Sequence, residues 1–113
     1  GTWKKDVVAC LGKSYKIADP EKPSFIGPKD IPGCYVGADL QAIDAADVVI
    51  AYQDDYPFVY GMAAEVGYAV ARGVPVIFVC TAKRVDGFLA GLARAVFTDT
   101  IAACEFVRKR YAP

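Results

Sequence analysis

The chain has 113 residues with thirteen basic and thirteen acidic side chains, no histidine, 55% hydrophobic residues and 23% charged ones. That length fits a single domain, 1–113, able to bury roughly two-thirds of its unfolded surface, and low charge with high apolar content excludes a disordered chain. The lack of histidine excludes Ser-His and Cys-His dyads and histidine-ligated zinc, and zero net charge without a basic block argues against nucleic acid as a partner.

Trp3 to Leu11 reads as a short helix stopped near Gly12, and Tyr15–Ala18 as a short strand. Residues 19–37 form a long irregular loop, since Pro20, Pro23, Pro28 and Pro32 remove backbone donors while Gly27, Gly33 and Gly37 permit unusual dihedrals. Long ordered loops of this kind often serve as lids or binding loops. Ala38–Ala46 reads as a helix, with Asp39 near its start and Leu40 and Ile43 three apart. Val48–Tyr52 is a β-branched, apolar run of the kind found in buried strands. Gln53–Tyr60 is a polar and aromatic loop.

Gly61–Arg72 is the next helix, with Met62, Val66, Ala69 and Val70 on one side. Gly73 and Pro75 supply its stop signal. Val76–Cys80 is a second buried strand, Val85–Leu92 a helix weakened by Gly87 and Gly91, and Ala95–Thr98 a short strand. Asp99 or Thr100 caps a last helix through about Arg110, whose final turn carries Arg108, Lys109 and Arg110 where positive charge complements the dipole.

Alternating helices and continuously apolar strands predict an α/β domain, a parallel sheet with helices on both faces. Such folds bind ligands at the carboxyl ends of their strands, so the loops after Tyr52 and Cys80 are the places to look. Cys10, Cys34, Cys80 and Cys104 form neither a CxxC pair nor a zinc knuckle, and Cys10, Cys80 and Cys104 read as reduced core residues. No metal site and no cofactor are expected, because GxGxxG and P-loop patterns are also lacking. The apolar run Val76–Cys80 is far too short to cross a membrane. With no leader-like opening and with reduced cysteines, the expectation is a cytoplasmic protein.

Glu65 is one of three glutamates and stands in an otherwise uncharged stretch, Gly61 to Ala69. Its predicted place is the first turn or so of a helix that follows a strand and a loop. There a carboxylate can simply compensate the helix dipole, or, partly desolvated beside Gly61, Ala63 and Ala64, it can act as a nucleophile. Asp39 reads as an N-cap or as a catalyst, Asp44 as a solvated surface residue and Asp47 as a cap on the turn into the strand. Asp54 and Asp55 sit at a strand's carboxyl end, where they could hold sugar hydroxyls or a cation, or be merely solvated. Tyr52, Tyr56, Phe58 and Tyr60 surround them with aromatic faces suited to a nucleobase, to packing the loop down or to a subunit contact.

Four blocks carry a resemblance: 39–43 (DLQAI), 46–52 (ADVVIAY), 61–69 (GMAAEVGYA) and 73–77 (GVPVI). Residues 38–80 resemble the nucleoside 2-deoxyribosyltransferase family. The resemblance implies a flavodoxin-like parallel sheet and cleavage of a nucleoside's N-glycosidic bond. It implies that Glu65 is the nucleophile, forming a glycosyl-enzyme that a second base or water resolves, and that Asp39 serves the base and its proton. Asp54, Asp55, Tyr56, Tyr60, Gly61 and Met62 are the accompanying candidate substrate contacts. A carboxylate nucleophile needs no histidine for this chemistry.

Some features depart from the family pattern. A family aspartate six residues before the nucleophile falls on Val59, and the family's subunit-crossing asparagine has no counterpart, since the chain contains no asparagine. The family's opening strand is not found before Trp3, so Tyr15–Pro20 is expected to be its second strand; either the segment is a truncation, or another element or a partner chain takes the first strand's place. A homo-oligomer is therefore expected. Beside the enzyme stands the alternative of a non-catalytic nucleoside- or nucleotide-binding module, or a protein-interaction module, of the same fold.

Overall fold

The structure, a computed structural model, describes residues 2–18, 39–55 and 60–113. Helix α1 is Trp3–Leu11, and a 3-10 turn, Gly12–Ser14, follows it. Helix α2 is described over 39–44. Then come strand β1 (Val49–Gln53), helix α3 (Tyr60–Ala71), strand β2 (Val76–Cys80), helix α4 (Gly87–Leu92), strand β3 (Ala95–Phe97) and helix α5 (Thr100–Arg110). Among the described residues the sheet has three strands in the order β1-β2-β3. Both pairings are parallel, with Val49 opposite Val76, Gln53 opposite Cys80, and Ile77 opposite Ala95.

The period of two along the strands divides the interior into two apolar compartments. Val49 and Ala51 of β1 and Val76, Phe78 and Cys80 of β2 point to one side. They meet Ile43 of α2, Val66 and Ala69 of α3, and Leu89 of α4 there. Ile50, Tyr52, Ile77 and Val79 point to the other and meet Val7 and Leu11 of α1 and Ala103, Cys104 and Val107 of α5. All five residues of β2 are buried. A strand covered on both faces has no polar side to show, which is why its sequence is a continuous apolar run.

Helix ends follow local chemistry. The carboxylate of Asp86 accepts from the Leu89 N–H and that of Asp99 from the Ile101 N–H, so each caps its helix. After α3, the Gly73 N–H donates to Val70 O and the Val74 N–H to Ala69 O. This is a Schellman turn, and it needs Gly73 at φ 77°. The turn reverses the chain into β2, so α3 runs antiparallel to the strands.

The strand expected over Tyr15–Ala18 is not formed. That segment joins no ladder and is tied instead by the Tyr15 hydroxyl, which donates to Tyr111 O at 3.0 Å. The helix expected to start at Val85 starts at Gly87, because Asp86 is its cap. Helix α3 begins at Tyr60 rather than Gly61, and β1 is shifted one residue, to Val49–Gln53. The loop expected over 19–37, including Cys34, lies outside the described residues. Cys80 and Cys104 are buried as expected, and Cys10 is half-buried.

Candidate active site

The loops leaving β1 and β2 are stitched to one another at the carboxyl end of the sheet. The Thr81 N–H donates to Gln53 O at 2.9 Å, which extends the ladder past β2. The Tyr52 hydroxyl and Thr81 Oγ1 are 2.9 Å apart. Gln53 Oε1 accepts from the Asp86 N–H at 3.4 Å and from Cys80 Sγ at 3.8 Å, while its Nε2 donates to Arg84 O at 3.4 Å. Asp55 accepts from the Lys83 N–H at 2.8 Å. The second loop is thus fixed by groups at the end of β1.

The sequence candidates fall at different depths. Asp54, Asp55, Tyr60 and Gly61 are exposed, and Tyr60 is 78% exposed at the head of α3. Met62 is partly buried and packs against the core beside Val66. Asp39 and Glu65 are half-buried. Tyr56 lies outside the described residues.

Glu65 is not in the first turn of its helix. Helix α3 already includes Tyr60, so Glu65 is in the second turn, and no acidic residue stands in the first. The dipole's influence fades within one turn. Neither activation by the helix terminus nor ordinary dipole compensation accounts for a half-buried carboxylate at this depth.

The helices that carry Asp39 and Glu65 are tied to one another at Asp44. Asp44, read from sequence as a solvated residue, accepts the Tyr68 hydroxyl on both carboxylate oxygens at 2.9 Å and the Arg72 Nε at 2.9 Å. Helix α2 leads into β1 through a short connection and α3 leads into β2 in the same way, so the two helices run parallel. Glu65 is three residues before Tyr68, on the side of α3 that faces α2, and Asp39 is four before the buried Ile43. The hydrogen bond that Tyr68 donates to Asp44, followed by desolvation and the Asp44 charge, raises the Tyr68 pKa above its usual value, so the phenol stays a donor.

Two shallow hollows on the surface lie elsewhere. Glu105, Arg108 and Lys109 line one on α5, and the other surrounds Pro75 and Ala93 at the amino end of β2. Neither includes Asp39 or Glu65. Among the described residues no three acidic or cysteine side chains come together as a metal site. Sequence reading missed Gln53, Thr81 and Asp86. Gln53 could have been found from its spacing, since it continues the face of Val49 and Ala51 to the strand's carboxyl end.

A parallel sheet clad on both faces, with carboxylates on the helices around its carboxyl end, defines a doubly wound α/β domain of flavodoxin-like type. The chain belongs to the nucleoside 2-deoxyribosyltransferase family, whose sequence model matches residues 27–102. A solved 2-deoxyribosyltransferase from the psychrotolerant bacterium Bacillus psychrosaccharolyticus is similar in structure, with a TM-score of 0.69 and 20% identity over 86% of this chain and 73% of that one. At that identity the likeness speaks for the fold. Comparison with curated proteins gives no match. Among the described residues no helix is long and apolar enough to cross a membrane.

Proposed function

We propose that this protein cleaves the N-glycosidic bond of a nucleoside and passes the sugar to a second base or to water. A Glu65 carboxylate oxygen attacks the anomeric carbon. The carbon–nitrogen bond breaks, its electron pair goes to the base, and Asp39 supplies the proton the departing base needs. A base nitrogen or a water oxygen then attacks the same carbon and gives its proton to Asp39, while the glycosyl ester bond breaks and restores the Glu65 carboxylate. One observation supports this reading: the Asp44 clasp ties α2, which carries the half-buried Asp39, to α3, which carries the half-buried Glu65. Asp54, Asp55, Tyr60 and Gly61, exposed near the ends of β1 and α3, are the nearby groups for the sugar and the base.

A second reading is a nucleoside-binding module without turnover. It is favoured by Val59, which stands where the family pattern has an aspartate.

The test is incubation with a panel of deoxynucleosides and free bases, followed by chromatography, for the wild type and Glu65→Ala. Base exchange that vanishes in the variant supports a transferase, and release of free base alone supports a hydrolase. Undiminished turnover in Glu65→Ala sinks the nucleophile assignment. Nucleoside binding with no product establishes the second reading.

A further inference from the structure

Trp3, Val7, Cys10 and Leu11 form one stripe of α1, at spacings of four, three and one. Thr100, Ala103, Cys104 and Val107 form the matching stripe of α5. The two stripes pack together on the far side of the sheet from Glu65, and Cys10 and Cys104 belong to the same apolar cluster. The register is fixed independently by Arg108, one turn beyond Cys104, whose Nη1 donates to the Cys10 carbonyl oxygen at 3.2 Å. Cys10 is half-buried and Cys104 has no exposed surface.

We infer that Cys10 and Cys104 form a peroxide-sensitive dithiol that closes to a disulfide joining α1 to α5. The two thiols have unequal parts. Burial first, then the charge of Cys10 and a hydrogen bond to its side chain, with Asp6 and Asp99 adding to these, push the Cys104 thiol up to about 12. Cys104 thus stays protonated, and the half-exposed Cys10 is the sulfur that meets the oxidant. The Cys10 sulfur attacks one oxygen of hydrogen peroxide, the O–O bond breaks, and Cys10 sulfenic acid and water form. The Cys104 sulfur then attacks the Cys10 sulfur. The S–S bond forms, the S–O bond breaks, and the hydroxyl leaves with the Cys104 proton as a second water. Two thiols are oxidised by two electrons and one peroxide is reduced. Cys80 lies in the other compartment, across the sheet from this pair.

The experiment treats the reduced full-length protein with hydrogen peroxide, alkylates the remaining thiols and maps the peptides without reduction. The expected result is a linked Cys10–Cys104 peptide pair and loss of two of the four alkylatable thiols, both reversed by dithiothreitol. Cys10→Ser and Cys104→Ala each abolish the link, and Cys80→Ala keeps it. If Cys104→Ala fails to fold, the half-exposed Cys10→Ser decides. The inference is overturned if Cys10 proceeds to sulfinic acid beside a reduced Cys104, if the link forms through another cysteine, or if Cys10 stays unmodified.

Discussion

The phenol oxygen of Tyr68 sits 2.9 Å from each carboxylate oxygen of Asp44, and Arg72 closes over the pair with its guanidinium 5.9 Å from the Tyr68 ring. The clasp is solvent-exposed, so its contribution to stability is small, about 1 kcal/mol or less. Its importance is in register. Asp44→Ala is expected to leave thermal unfolding almost unchanged while lowering kcat, because the helices that carry Asp39 and Glu65 in the proposed mechanism are no longer tied together. Calorimetry together with steady-state kinetics checks this; a variant with full kcat separates the clasp from catalysis.

The proposed mechanism gives the two carboxylates different chemical duties, and leaving groups would tell them apart. Asp39→Asn removes a proton donor and is expected to cost about 10²–10⁴-fold in turnover of ordinary nucleosides. It should cost little with a base that departs without protonation. Glu65→Gln is expected to lose both substrates alike, since no leaving group replaces a nucleophile. Parallel assays with an ordinary and an activated nucleoside supply the comparison.

Phe78 lies at the centre of β2 with 1% of its surface exposed. Truncation there leaves a cavity between β1, β2 and α3. Phe78→Ala is expected to destabilise the fold by about 3–5 kcal/mol, read from denaturant titration. A smaller loss would mean that α3 collapses into the gap.

Alkaline pH should unfold the protein gradually. Cys104 is raised from 9.0 to about 12 and Tyr68 is raised from 10.0, so the folded state holds both protons more tightly than the unfolded state does. Their contribution is fully present below the unfolded values and is lost as pH rises through the folded ones. Stability is therefore expected to be flat through neutrality and to fall above about pH 9. In Cys104→Ala the fall should begin later, where tyrosine titrates. Melting temperatures across this range measure the difference.

Tyr60 and Phe88 are 78% and 77% exposed, on helices that begin near the carboxyl end of the sheet. Large exposed aromatic residues are typical of contacts between subunits. Self-association is the expected outcome in size-exclusion chromatography with light scattering, weakened by Phe88→Ser. A monomer at all concentrations would show that these rings serve something else.

The sequence was most readable where one physical signal dominated. Val76–Cys80 was placed to the residue because a strand buried on both faces must be apolar throughout, and α5 because Asp99 can cap it. Tyr15–Ala18 misled because its alternating pattern suits a strand, while its actual tether is a single hydroxyl on the distant Tyr111. Glu65 stands out in the sequence through its uncharged surroundings and its family motif. Its depth in the helix is hard to read from sequence because Val59, the residue before Tyr60, is not a capping type. Asp44 faces solvent as expected, but its partners are 24 and 28 positions away, beyond any local pattern.

The only tryptophan, Trp3, lies with its ring 4.8 Å from that of Tyr52 and tilted by 5°. This stack belongs to the compartment of α1 and α5, whereas Glu65 rides on the helix of the other compartment, with β2 as the shared wall. Changes on the two sides of such a wall should combine additively. The rear half could then be re-engineered for heat tolerance through Ile77, Val79, Ala103 and Val107. Tryptophan fluorescence, excited where tyrosine does not absorb, would report on the remodelled half, and the half proposed to carry the chemistry could be left untouched.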